Sequence, residues 1–116
     1  MDKQTEELAK ELRDAIGKGR QYDRTDILGM FMECENIIGI LAYLISPLTK
    51  FEQEYRTKIV NYMEQGDSHA KAQEKARISD AYVNYRNLDM LCKLGDDKVK
   101  ILKKFKDNLE MEYKRT

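Results

Sequence analysis

Apolar residues recur at helical spacing along most of this chain, and the longest such stretch begins at Ile27. Ile27, Met30, Cys34, Ile37, Leu41, Leu44, Leu48, Phe51, Tyr55, Ile59 and Tyr62 follow one another at intervals of 3, 4, 3, 4, 3, 4, 3, 4, 4 and 3. That rhythm predicts a helix over residues 26–65 with a coiled-coil-like seam. Thr25 or Asp26 is placed to cap its start, and Gly66 to stop it, with Asp67 or Ser68 capping the next helix. Pro47 sits inside the stretch. Proline either kinks a helix or ends it, here with Ser46 capping a new one. The seam keeps its phase across Pro47, which favours a kinked but nearly collinear helix.

A second stretch repeats the rhythm. Ile78, Ala81, Tyr85, Leu88, Cys92, Gly95, Val99 and Leu102 step by 3, 4, 3, 4, 3, 4 and 3, and Phe105, Leu109 and Tyr113 continue the stripe. The unbroken phase predicts one helix over 68–114 that runs through Gly95. A short amphipathic helix over 3–16 precedes both, with Leu8, Leu12, Ala15 and Ile16 on one face and Gly17 and Gly19 behind it. The expected architecture is therefore all-α, a single helical domain over 1–116: a short N-terminal helix plus a long antiparallel hairpin.

Folding the chain back at residues 66–68 pairs residues whose numbers sum to 132 or 133. Tyr55 then meets Ile78, Phe51 meets Ala81, Leu48 meets Tyr85 and Leu44 meets Leu88. Beyond them Leu41 meets Cys92, Ile37 meets Gly95, Cys34 meets Val99 and Met30 meets Leu102. Large side chains face small ones, which fills a core without overpacking. In this register Cys34 and Cys92 lie two turns apart, on the order of 10 Å by helix rise. A disulfide needs Cα atoms within about 7 Å, so both thiols are expected to be free and buried.

A helix of about 40 residues is about 60 Å long, whereas a compact domain of this size is roughly 35 Å across. One chain has too little interior to cover such a hairpin. Beyond its seam the 26–65 helix carries Leu28, Phe31, Ile38, Ala42 and Ile45 on one flank and Ile40 on the other, with Gly29 and Gly39 allowing close approach. The first helix can cover one side, and a second chain is the expected cover for the other. Leu28, Phe31, Ile38, Ile40, Ala42 and Ile45 are the candidate interface, in a homo-oligomer for which a dimer is the favoured form. The alternative is that the first helix and the tail over 105–113 cover everything within one chain.

Composition fits this picture. Charged residues are 36% of the chain, above the roughly 25% of an ordinary globular protein, and 21 basic residues balance 21 acidic ones. Narrow apolar stripes flanked by wide charged faces give that mixture, and the zero net charge supplies no global pull towards nucleic acid or an anionic membrane. The balance hides a mild segregation, because residues 1–16 carry five acids against three bases while 17–24 and 93–106 are net basic. The longest apolar run, over 37–45, is about half the roughly 20 residues needed to span a bilayer, so no membrane association is expected. Two cysteines and an N-terminus without an apolar core point to a reducing cytoplasm.

Chemistry is sparse. The chain has no GxGxxG, Walker, HExxH or GxSxG pattern, and no catalytic residue, metal site or cofactor is expected. The single histidine, His69, reads as an exposed residue of a first helical turn. Glu33 and Glu35, like Glu52 and Glu54, are two apart and point to different helix faces, which reads as solvation. Two basic segments offer binding chemistry. Lys18, Arg20, Tyr22 and Arg24 lie in a Gly-containing connection and have the groups to hold a phosphate or stack on a base, although a polar linker explains them as well. Lys100, Lys103 and Lys104 belong to a lysine-rich stretch with nucleic-acid-binding chemistry, but interleaved acids make it read mainly as a soluble face.

The second half of the chain resembles a known group. Glu54-Tyr-Arg56, Gly66-Asp-Ser68, Ala72 and Ala76, Tyr82 with Tyr85-Arg86, and the Ile101-Leu-Lys-Lys tail are similar to small helical-hairpin proteins of tailed phages and prophages. Most of those proteins have no known function. The resemblance covers about residues 52–113 and implies an accessory protein of a bacterial cytoplasm, of the kind encoded near recombination or counter-defence genes. It carries over no site residue. The expected function is non-enzymatic protein–protein binding, as an inhibitor of a host or defence protein or as an assembly adaptor. The alternatives are an oligomeric nucleotide sponge and a single-strand DNA accessory protein.

Overall fold

The computed structural model describes residues 1–18 and 26–115, with the side chains of residues 18 and 115 left out. Four helices make up the described chain: α1 (Lys3–Lys18), α2 (Ile27–Glu64), α3 (His69–Ala76) and α4 (Asp80–Arg115). Among the described residues there is no strand, so the all-α expectation holds, with a long helix paired to another.

The helix ends follow from local chemistry. The Thr5 backbone N–H donates to Asp2 Oδ1 at 2.7 Å, which caps α1. That helix outlasts its expected end by two residues and takes Gly17 into its last turn. Asp26 caps α2 by accepting from the Gly29 N–H at 2.7 Å, and α2 stays helical through Pro47. At its far end Gly66 has φ +105°. The Gly66 N–H donates to the Met63 carbonyl and the Asp67 N–H to the Tyr62 carbonyl, which together form a Schellman stop. Ser68 then caps α3, its hydroxyl accepting from the Lys71 N–H.

The helix expected over 68–114 is two helices. Residues 77–79 interrupt it, and the interruption is built by Ser79. Its hydroxyl donates to the Ala76 carbonyl at 2.6 Å and accepts from the Tyr82 N–H at 3.3 Å, closing α3 and capping α4 at once. The apolar phase passes across this junction, so periodicity alone does not reveal it. Beyond it α4 runs unbroken through Gly95, as expected.

The chain divides into two compact units. One comprises Asp2–Leu44 with Leu91–Thr116, where α1, the first half of α2 and the larger part of α4 pack together. Leu12, Ile37 and Leu44 are its fully buried large side chains, joined by Ala9, Ala15, Met30, Cys34, Leu91, Val99 and Leu102. Gly95 marks the closest approach: a Cβ there would lie 3.1 Å from Leu12 Cδ1, 3.3 Å from Leu41 Cδ2 and 3.6 Å from Ile37 Cγ2. The Cys34 thiol reaches the Val99 carbonyl at 3.9 Å. Cys34 with Val99 and Ile37 with Gly95 are pairs of the expected antiparallel register. Both cysteines are free, Cys34 buried as expected and Cys92 only half-buried.

The other unit, Ile45–Met90, holds the second half of α2, all of α3 and the start of α4. Ile59, Ala72 and Ala76 form its core cluster, with Tyr55 and Tyr62 packed against them. Tyr55 packs against Tyr82 with the rings tilted by 44° and centroids 4.8 Å apart, and it lies nearly parallel to Tyr85 at 6.3 Å. The expected pairing of Tyr55 with Ile78 does not occur. Ile78 falls in the α3–α4 junction and is 84% exposed, and tyrosines take the place it was to fill.

Candidate interaction surface

Among the described residues the seam of α2 is largely buried, and one flank of the helix is exposed. Viewed down the helix, Met30, Ile37 and Leu44 face the core, while Leu28, Phe31, Ile38, Ala42 and Ile45 lie round to one side. All five are exposed: Leu28 to 69%, Phe31 to 47%, Ile38 to 44% and Ile45 to 63%, with Ala42 exposed as well. Ile40, named with them from the sequence, belongs to the interior. It is only 6% exposed, because it lies on the opposite side of the seam, the side it shares with Glu33. Glu33 is buried too, not solvated as its pairing with Glu35 suggested, whereas Glu35 is exposed.

The exposed stripe has a floor and a rim. Phe31, Cys34, Glu35 and Ile38 of α2 and Lys103 and Lys106 of α4 line a groove of about 250 Å³. Lys106 stands over the Phe31 ring, its Nζ 5.5 Å from the centroid, and reaches Glu110 at 3.6 Å. Its cationic head thus rests on an aromatic face at the rim, an arrangement that keeps the ring in place without covering it. At the floor, burial pushes the Cys34 thiol above its usual pKa, against the opposing pull of Lys103 and Lys106. The thiol therefore stays protonated near neutral pH, a poor nucleophile and a small apolar filler. Met32 and Tyr43, also exposed, widen the apolar face on its other margin. Sequence reading missed them, although their place on the helical wheel beside Leu28 was available.

α2 is also the one helix among the described residues long and apolar enough to cross a membrane, and 33% of its most apolar 18-residue window is buried. The window owes its hydropathy to the core seam and the exposed stripe together.

The basic candidates divide. Lys18, Arg20, Tyr22 and Arg24 lie outside the described residues, apart from the backbone of Lys18 at the end of α1. Lys100, Lys103 and Lys104 are exposed on α4. Lys100 pairs with Asp96 at 3.0 Å, and this hydrogen bond raises its pKa. His69 is exposed at the start of α3, as expected.

A second concavity, about 710 Å³ and open to solvent, lies in the Ile45–Met90 unit among Glu54, Lys58, Tyr62, Lys75 and Asp80. Lys75 is already engaged, 2.7 Å from Asp67 Oδ2 and 5.4 Å above the Tyr62 ring. Two carboxylates and two ammonium groups around one phenol select no ligand charge. Among the described residues no group of three or more His, Cys, Asp or Glu side chains is placed to hold a metal. The chain matches no protein family, no curated protein and no solved structure.

Proposed function

We propose that the chain acts by binding another protein through the exposed flank of α2, as a non-enzymatic accessory protein. One observation carries this reading: Leu28, Phe31, Ile38, Ala42 and Ile45 lie on one side of one helix and are all exposed. Apolar side chains scattered over a surface have no special meaning. A contiguous stripe rimmed by charges has the anatomy of an interface, an apolar centre with a polar border. The mode is helix-in-groove recognition, in which residues at i, i+3 and i+7 of an amphipathic face anchor the partner. By the resemblance of its second half to phage hairpin proteins, its setting is a bacterial cytoplasm, where it acts as an inhibitor of a host or defence protein or as an adaptor in an assembly.

Affinity capture with the full chain and with Ile38→Glu tests the reading. Ile38 is exposed, so the substitution leaves the fold intact while placing a charge in the middle of the stripe. The expected outcome is a bacterial protein retained by the wild type and lost by the variant. Equal retention by both overturns the assignment of the site.

A further inference from the structure

The spacing of the stripe on α2 is compatible with an antiparallel copy of itself. Leu28, Phe31, Glu35, Ile38, Ala42 and Ile45 follow at intervals of 3, 4, 3, 4 and 3, a series that reads the same in both directions. It is a second heptad-like seam beside the one buried in the hairpin, and its apolar members stay exposed among the described residues. We infer that its partner is the same stripe of a second copy, laid antiparallel about a two-fold axis between residues 36 and 37. The inference rests on the reading of this flank as a protein-binding surface, and a self-paired flank has to open before another protein takes it.

Three features on the helix favour this pairing. First, residues brought opposite one another have numbers summing to 73, so Phe31 meets Ala42 of the other copy and Leu28 meets Ile45. Large faces small in the inner layer, as in a filled core. A parallel pair would instead set Phe31 against Phe31 and Glu35 against Glu35, with two like charges in the seam. Antiparallel pairing sets each Glu35 opposite an Ile38 in the layers flanking the axis, so that neither carboxylate faces the other directly. Second, Gly39 lies near the axis and has no atom within 4 Å of where a Cβ would stand. Its bare backbone lets a second helix come close, as small residues do at tight helix crossings. Third, the area is right for a self-complementary contact. Leu28, Phe31, Ile38 and Ile45 present on the order of 400 Å² per copy, at about 150–200 Å² for each large side chain. Two copies bury up to about 800 Å² of apolar surface, an area in the range of a weak, transient interface.

α4 explains why α2 alone forms the seam. The α4 side chains that border the groove are Lys103, Lys106 and Asp107, of which Lys103 and Asp107 are exposed while Lys106 lies over Phe31. An isologous contact of this kind closes on itself, which makes the product a dimer and not a filament.

Sedimentation of the full chain decides the matter. The wild type is expected to reach twice 13.7 kDa, with Ile38→Glu weakening association at least about 30-fold at unchanged far-UV helicity, the effect of a lost central anchor. A size swap tests the register. F31A alone loses the large partner and A42F alone overfills the layer, while the F31A/A42F double variant restores dimerisation by exchanging the two roles across the axis. A double variant no tighter than either single overturns the antiparallel register. A wild type that stays monomeric at about 0.5 mM, where even a 100 µM association registers, overturns self-pairing. If that monomer co-sediments with phosphatidylcholine vesicles and I38E does not, the face belongs to a membrane, which equally overturns it. The two readings fail separately. A monomer whose captured protein is lost on I38E keeps the binding site and loses the self-pairing. A dimer broken by I38E while capture is unchanged keeps the self-pairing and loses the partner site.

Discussion

The two units of this chain draw on the same two helices and close their cores by different means. In the unit of Asp2–Leu44 and Leu91–Thr116 the hairpin seam is aliphatic, and a third helix, α1, adds Ala9, Leu12 and Ala15 to it. In the Ile45–Met90 unit the third element is the eight-residue α3, whose contribution is two alanines with no exposed surface, Ala72 and Ala76. Leu88, Phe51 and Ile59 of the two long helices are buried there as well, and half-buried tyrosines pack beside them. A long third helix adds depth to a core, whereas a short one adds close approach, and in the second unit long flat side chains close the core beside it. In the first unit α2 is buried on one side and exposed on the other, and the exposed side is the proposed interaction surface.

The largest effect is expected at the aliphatic core. Ile37→Ala removes a fully buried side chain beside Gly95 and Leu12 and should cost about 3–4 kcal/mol. It is read from the urea midpoint and from lost amide-exchange protection in that unit. A cost below about 1 kcal/mol would mean that the unit is loosely packed and that the contrast with its neighbour is empty.

Close approach in the other unit is tested by overfilling. Ala76→Leu inserts three carbon atoms where Ala76, Ile59 and Ala72 already meet and should destabilise by about 1–3 kcal/mol, with Tyr55 and Tyr62 displaced. A neutral or stabilising result would show slack beneath the tyrosines. Ser79→Ala comes next. It removes the hydroxyl that serves both helix ends at the α3–α4 junction and should cost about 1 kcal/mol. If residues 77–79 instead join α3 and α4 into one helix in the variant, seen as raised helicity, then Ser79 alone holds the two apart.

These sites show which parts of the fold are written in local pattern. The seam spacing yields the hairpin and, in one unit, its register, because matching Ile37 to Gly95 and Cys34 to Val99 needs only period and size. The α3–α4 break is invisible to the same reasoning. A serine followed by an aspartate, at positions 79 and 80, is a capping signal, but the apolar phase continues past it and outweighs it. Ile40 illustrates a different limit. The wheel shows that the helix has two apolar flanks, while which flank is buried is decided by tertiary packing, and Ile40 is on the buried one. The stripe from Leu28 to Ile45 was legible because five of its six positions are apolar, whereas Met32 and Tyr43, one position round the wheel, were passed over.

The smallest effect concerns the thiol beneath the stripe. Burial raises the Cys34 pKa, with Glu33 and Glu35 adding to the rise and Lys103 and Lys106 opposing it. A thiol whose pKa is higher in the folded chain than in the unfolded one binds its proton more tightly when folded. Its contribution to stability is therefore complete below the unfolded pKa of about 8.5 and declines as the pH rises above it. Cys34→Ala removes the titrating group, and tyrosine and lysine titrations are common to both chains and cancel in the comparison. The stability advantage of the wild type over this variant should thus shrink between about pH 8 and pH 10, the range in which a thiol of unfolded pKa about 8.5 ionises. The check is urea unfolding of both chains across that range. A gap that stays constant would mean that Cys34 ionises equally in the folded and unfolded chains and that the floor of the groove is open to water. The aliphatic unit would then be no better sealed than the tyrosine-filled one.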